Sequence, residues 1–486
     1  MWAEQEFQQR AAAVPKLGLG LSVDVYSPDL WDLMGRFERH CCRPAYLEIF
    51  RATKTALHAV RRSFPDMPLT YHGEGLWITQ PEFGRPPRFE DELHEVSSQL
   101  RILASPWLNH ECATKQMAGY SFGTYLPPLY TPASAAVVAE NIALVQERLD
   151  DQCRIAEGFG PLFLLEMPPL TYFMAGTMEI PQYFHLITER TPCGLVLDVG
   201  HLWTVYRYSP SLRQSSLEAF AAKFLDAFPM ERIIEIHVAG LAAHAAVLGA
   251  ADAPLPAWID AHAASIPEVS WLILEQVLRH PRLRNLRAVA LEVDTKPVER
   301  ILAEFTEASA RVGPTIARLL EQETRHPATV SCQALSGTCE SRIDRSALED
   351  EYVRYAQIAS GQRPAAGPPW QAVTDDPSGL ECYLNGYLPH EILRWGGDIS
   401  DMFPETCKGL KEQRLSLDDF VPWWFHKARP THESYDFFLL KIDRFLEFVS
   451  ERAPLVQSLA AREAGVLRAA YSDASNGGRP QMESSR

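Results

Sequence analysis

The 486-residue sequence has no basic run, and its 46 lysines and arginines are outnumbered by 62 aspartates and glutamates, a formal net charge of -16. A surface field of that sign repels polyanions, which weighs against a nucleic-acid partner. Long apolar runs are missing from the N-terminus too. The stretch MWAEQEFQQRAAAVPKLGLGL is acidic early and holds nothing long enough for a signal h-region or a bilayer span, so a cytoplasmic protein without membrane contact is expected. Cysteine is scarce and oddly placed. There are nine, Cys41 and Cys42 are adjacent, and Cys332 and Cys339 lack the spacing of a zinc ribbon. An odd number without a secretory signal reads as reduced, structural thiols rather than a disulfide framework.

What is present is ordinary globular material, 46% hydrophobic and 22% charged, in a chain long enough for one large α/β barrel and a smaller appendage. Eight strand-like runs begin at Leu17, Ala45, Met67, Arg101, Leu162, Gly194, Arg232 and Leu286. Between them lie segments with apolar residues at three- and four-residue spacing, such as SAAVVAENIALVQERLDDQCRIAEGF. Eight strand-helix units predict closure into a TIM (β/α)8 barrel. The barrel is expected to span 1–327, ending on one amphipathic helix in VERILAEFTEASARVGPTIARLLEQE. A mostly helical accessory domain over 328–472 follows, with a Pro- and Gly-rich linker at 361–379 and a disordered tail at 473–486. In FVPWWFHKARP, Trp423, Trp424 and Phe425 read as core packing in preference to a groove for a leader peptide.

TIM-barrel sites form at the C-terminal ends of the strands, so the last residue of each run carries the functional reading. Those ends deliver His72, His110, Glu166, Asp198 with His201, His237 and Glu292, and the segment WIDAHA adds Asp260 and His262. Singly, each histidine is more often a hydrogen-bonded structural residue and each acid a helix cap. Together, so many buried acids and imidazoles would cost too much to desolvate unpaired. Five imidazoles and four carboxylates exceed what one ion needs, which predicts two or three metal ions; mixed N and O ligands suit iron, zinc or manganese without choosing among them. Glu74, Tyr71 and Asn109 are read as orienting neighbours of His72 and His110, and Asp24 and Asp294 as non-ligands near strand ends. His58, His94, His185 and His244 read as surface residues, and Lys296 as a solvated loop charge.

The succession GLGLSVDVY, TYHGEGLW, LLEMPPLTYF, GLVLDVGHLW, EIHVAGL, IDAHAASIPEVSW and LEVDT resembles the multinuclear non-haem iron-dependent oxidative enzymes, a TIM-barrel group related to xylose isomerase that includes the methanobactin oxazolone-forming enzyme. The likeness covers about the first two-thirds of the chain. It implies oxidative modification of a ribosomally made precursor peptide, often at cysteine, using O2 and two or three iron ions of mixed ferrous and ferric state. His72, His110, Glu166, His237, Asp260, His262 and Glu292 match ligand positions of that family, and Asp198 its strand-six acid. Met167 and His201 stand where the family commonly has Asn. The Asp-x-x-His of Asp198 and His201 also resembles the trinuclear zinc site of endonuclease IV-type phosphodiesterases, which is the hydrolytic alternative. A sugar isomerase, which would need a lysine such as Lys296, and a non-catalytic peptide- or metal-binding scaffold complete the readings. The helical region after Ala328 is weighed as a fused peptide-presenting partner.

Overall fold

The computed structural model describes residues 2–40, 42–85, 88–154, 158–209, 215–243, 258–322, 344–362, 376–431 and 436–475. Twelve strands are defined: β1 (Gly18–Val23), β2 (Leu47–Phe50), β3 (Leu69–His72), β4 (Trp107–Glu111), β5 (Thr114–Met117), β6 (Tyr120–Leu126), β7 (Leu162–Glu166), β8 (Gly194–Asp198), β9 (Ile233–Val238), β10 (Leu241–Ala243), β11 (Trp258–Asp260) and β12 (Ala288–Glu292). Eight of them close a barrel in the order β1, β2, β3, β4, β7, β8, β9, β12, each parallel to its neighbours. The TIM barrel expected from the alternating pattern is therefore present. Only one boundary moves far: Arg101–Leu103 finish the helix Arg88–Leu103, and β4 starts at Trp107.

Strand alternation sorts the side chains. At the N-terminal end of the barrel Tyr46, Trp107, Leu162, Leu164, Val196, Ala288 and Ala290 form a dry plug with Phe7, Ala11 and Val14 from the first helix and the turn after it. Burying each large member of such a plug contributes about 1.5–3 kcal/mol, so these side chains act as packing. The polar residues gather at the other end.

Two hairpin-like pairs stand outside the barrel. Antiparallel β5 and β6 follow directly from β4, and β10 pairs antiparallel with β11 beyond β9. The helix expected to end the barrel is two, Val298–Arg311 and Gly313–Glu321, because Gly313 and Pro314 interrupt it. The C-terminal region is helical, from Arg345–Ala359 through Gln457–Ser475. It packs on the β5–β6 hairpin: Trp424 Nε1 donates to the Ser121 carbonyl at 2.7 Å, the Arg429 N–H to the Gly119 carbonyl at 2.7 Å, and Thr124 and Tyr387 hydroxyls lie 3.1 Å apart. Trp423, Trp424 and Phe425 are buried, as their core reading requires.

The 327/328 boundary and residues 363–375 of the 361–379 linker lie outside the described residues, as do Cys41, His244, Cys332 and Cys339, while the end of that linker, from Pro377, already belongs to the helix Pro377–Cys382. The last helix continues to Ser475, three residues into the expected tail. The described cysteines, Cys42, Cys112, Cys153, Cys193, Cys382 and Cys407, are free thiols. His58 and His94 are exposed and His185 is half-buried. No described helix is long and apolar enough to cross a membrane.

Candidate metal centre

The rim of the barrel is built by register. Glu111 pairs with Glu166, Asp198 with His237 and Ser22 with Glu292, so neighbouring strands deliver their polar ends at one level. Glu166 is the hub. Its Oε2 lies 3.2 Å from His72 Nε2 and accepts from Asn109 Nδ2 at 2.9 Å, while its Oε1 lies 3.3 Å from His237 Nδ1 and 3.8 Å from His201 Nδ1. Glu292 bridges outward: Oε1 is 3.2 Å from His237 Nδ1 and Oε2 is 3.4 Å from His262 Nε2. Asp260 Oδ2 joins the outer histidines, 3.2 Å from His262 Nε2 and 3.4 Å from His201 Nε2.

Local sequence explains each placement. Asp198 ends β8 and caps the helix Val199–Tyr208, its Oδ1 accepting from the His201 N–H at 2.7 Å. That single turn puts the Asp198 and His201 side chains at the rim, and leaves Asp198 Oδ2 without a hydrogen bond among the described residues. Gly240 explains HVAG and IDAHA. A Cβ there would lie 2.1 Å from the Ala264 carbonyl oxygen and 2.7 Å from that of Ala261, so only glycine lets the two segments touch. The Ala261 N–H donates to the Gly240 carbonyl at 2.9 Å, and β11 ends on Asp260.

Four imidazoles share one pattern. His201 Nδ1 faces the Met167 carbonyl at 2.7 Å, His72 Nδ1 the Gly73 carbonyl at 3.2 Å, His262 Nδ1 the Asp294 carboxylate at 3.1 Å, and His237 Nε2 the Glu48 carboxylate at 3.1 Å. In each the second nitrogen points at the rim carboxylates, the arrangement by which a metal-bound imidazole is oriented from behind. Five carboxylates, Glu111, Glu166, Asp198, Asp260 and Glu292, meet these four imidazoles, so the acids outnumber the bases that could neutralise them. Glu111 Oε2, Asp198 Oδ2, Asp260 Oδ1 and Glu292 Oε2 have no hydrogen-bond partner among the described residues. Orphaned acceptors at this burial fit divalent cations. Glu111, Glu166 and His201, and likewise Glu166, Asp198 and His237, offer ligand atoms mutually within 4.8 Å.

The electrostatics record the same strain. Burial opposes the charge on His72, yet the Glu166 hydrogen bond and the Glu48 charge raise it to about 9. Burial likewise opposes charge on His237 and His262, and the surrounding carboxylates push both well up. Burial first, then Glu166, raises Glu111, and burial with Glu292 and Asp260 nearby raises Asp198. Burial works against the Glu166 carboxylate as well, but His237 and His72 hold it well below its usual range.

His110 stands apart from the expected set. In β4 the inward residues are Trp107, Asn109 and Glu111, so alternation sends the intervening His110 elsewhere. Its Nδ1 is 3.0 Å from the Glu111 carbonyl and its Nε2 accepts from the Leu76 N–H at 3.1 Å, so both ring nitrogens are engaged by backbone. Burial lowers it to about 4, which keeps it neutral. Glu111 occupies the rim position beside it and is legible only by counting alternation along WLNHE. Asn109 orients Glu166 rather than His110, and Glu74 pairs with Lys115 at 2.7 Å rather than with His72. Tyr71 donates to Gln99. Asp294 backs His262, whereas Lys296 is no solvated charge: it is 1% exposed and bound to Glu304 at 2.6 Å. Glu48 and Glu235, in mid-strand, also reach His237.

The family model described as RiPP precursor modification enzyme MbnB/TglH/ChrH matches residues 35–312. The UPF0276 protein of Caulobacter vibrioides is 26% identical over 256 residues, covering 52% of this chain and 79% of the relative. That of Psychromonas ingrahamii is 23% identical over 245 residues, covering 50% and 75%. Among solved structures, endonuclease IV from Thermus thermophilus aligns with a TM-score of 0.37 at 16% identity, over 61% of this chain and 99% of that one. A D-psicose 3-epimerase from Clostridium cellulolyticum aligns at 0.33 and 10%, over 63% and 97%.

Proposed function

The chain belongs to the RiPP precursor modification enzyme family MbnB/TglH/ChrH, matched over residues 35–312, and from that premise we propose that it oxidatively modifies a ribosomally made precursor peptide, at cysteine, using a multinuclear iron centre and O2. The observation that carries the metal part is the shared orientation of His72, His201, His237 and His262, each with an oxygen within 3.2 Å behind one nitrogen and acids facing the other. The proposed ligands are His72, Glu111, Glu166, Asp198, His201, His237, Asp260, His262 and Glu292. These residues would hold iron in mixed ferrous and ferric state, which would supply the activation of O2 for oxidation of the substrate.

The residues themselves divide the work. Glu166 touches three of the histidines and keeps the inner ones in place. Asp260 and His262, with side chains 21% and 26% exposed, form the open edge at which a peptide reaches the centre. The C-terminal helices, seated on the hairpin that continues from β4, are proposed to help present the peptide.

Anaerobic purification followed by metal analysis and Mössbauer spectroscopy tests this. At least two irons per chain, with coupled ferrous and ferric signals, are expected, and O2 uptake on adding a short cysteine-rich peptide encoded beside the gene. Zinc alone with phosphodiesterase activity would replace the reading by a hydrolytic one. Bound metal without O2 uptake on that peptide would leave a scaffold.

A further inference from the structure

Below the rim, inside the barrel, lies a second polar tier that neither the strand-end pattern nor the family resemblance singles out. Glu48 in mid-β2, Glu235 in β9 and Tyr46 just before β2 are all 0% exposed. Glu48 Oε1 lies 3.1 Å from His237 Nε2 and Glu235 Oε2 lies 3.7 Å from the same nitrogen. Tyr46 donates its hydroxyl to Glu235 Oε1 at 2.5 Å. The tier is accommodated by the neighbouring strand: a Cβ on Gly20 would fall 2.3 Å from Tyr46 Cδ1, so glycine in β1 is what admits the phenol ring into the barrel.

A fully buried carboxylate is expensive unless it faces a cation or a donor. For Glu48 the ion-pair partner among the described residues is His237. The partners behind the other rim histidines differ in kind. Backbone carbonyls stand behind His72 and His201, and a partly exposed carboxylate, Asp294, behind His262. His237 alone is backed by an acid in the dry interior, and it is also the ring whose opposite nitrogen sits between the two hub carboxylates, 3.3 Å from Glu166 and 3.2 Å from Glu292.

We propose that Glu48 is the positioning residue of the centre: it takes the Nε2 side of His237 and thereby presents Nδ1 to the cation held with Glu166 and Glu292, while the Tyr46–Glu235 pair holds the tier beneath it. This rests on the multinuclear-metal reading above. A carboxylate behind a ligating imidazole fixes its orientation and raises its donor strength, and loss of such a partner typically weakens metal affinity about 10- to 100-fold. Glutamine at this position keeps an acceptor oxygen within reach of Nε2; leucine removes it.

The test compares the full chain with its Glu48→Gln and Glu48→Leu variants. Each is titrated anaerobically with ferrous iron against a competing chelator, and separately with Co(II), whose visible spectrum reports ligand geometry independently of turnover. Glu48→Leu is expected to weaken the tightest binding step about 10- to 100-fold and to shift the Co(II) spectrum, whereas Glu48→Gln stays within a few-fold of the parent. Glu48→Thr carries the leucine expectation should the leucine variant not fold, as judged by circular dichroism. A folded leucine or threonine variant with parental affinity and spectrum would overturn the positioning role while leaving the metal centre standing. Loss of one whole metal equivalent in Glu48→Gln would overturn it differently, by making Glu48 a ligand. A parent chain that binds neither metal would overturn this role and the metal reading together.

Discussion

At the scale of single residues, the centre depends on Glu166, because one carboxylate serves three imidazoles at once. Removing one partner of a buried ion pair costs about 3–5 kcal/mol, since the other charge stays behind unpaired. In metal-free protein the loss should depend on pH with a definite sign. His72 is held up to about 9, so its pairing with Glu166 stabilises the fold fully below its ordinary value of 6.5 and fades as pH rises through 9. Glu166→Gln is therefore expected to lower the unfolding free energy of chelator-treated protein by about 3–5 kcal/mol at pH 6, and by distinctly less at pH 9.5, in urea titrations. An equal loss at both pH values would mean that Glu166 acts through packing alone. Eight of the nine residues read as ligands, seven from strand ends and two from WIDAHA, converge, and the ninth, His110, faces away from the rim. His110 and Glu111 are adjacent, so only one can face the interior, and the histidine was the more conspicuous. Glu48 and Glu235 stayed hidden for another reason: a strand-end rule passes over mid-strand positions, although Glu235 precedes His237 by two residues and so shares its face.

At the scale of elements, the eight barrel strands were legible because each is a short apolar run followed by a helix of opposite period. The β5–β6 hairpin was not, because TKQM and YSFGTYL carry too few apolar residues to stand out, and their burial comes from helices hundreds of positions away. The β10–β11 pair was invisible for a similar reason, being three residues per strand and dependent on one glycine. That glycine gives a sharp expectation. Gly240→Ala places a methyl against two carbonyl oxygens that belong to backbone and cannot rotate away, so the Ala261–Ala264 turn must shift. The barrel should fold, because Gly240 lies beyond the end of β9, but Asp260 and His262 would move off the rim. The expected result is a chain that keeps its far-ultraviolet circular dichroism and loses about one metal per chain by elemental analysis, with the inner set at His72, Glu166 and His237 still loaded. Full metal content in a folded Gly240→Ala chain would show that the outer pair is not part of the centre.

At the scale of the whole molecule, the helical region behaves as a brace on the barrel rather than a bead on a string. The hairpin it covers begins three residues after Glu111, so hairpin position and rim geometry are coupled through a very short piece of chain. Trp424 is the strongest bolt: it is 4% exposed, its indole N–H satisfies the Ser121 carbonyl, and its ring lies 6.0 Å from Phe437 and 5.6 Å from Phe420. Gly123 in β6 marks how close the two parts come, since a Cβ there would lie 2.9 Å from Phe437 and 3.1 Å from Glu391. Trp424→Ala leaves a cavity and an unsatisfied carbonyl, and large aromatic deletions of this kind cost about 3–5 kcal/mol. If the brace fixes the rim, the loss should reach the metal centre far upstream in sequence. Trp424→Ala is expected to lower the urea midpoint of the metal-free chain and also to weaken iron binding in the folded chain below that midpoint, measured by chelator competition. Destabilisation with iron affinity unchanged would mean that the helices stabilise the molecule without setting the geometry at Glu111, and that the barrel holds its own rim.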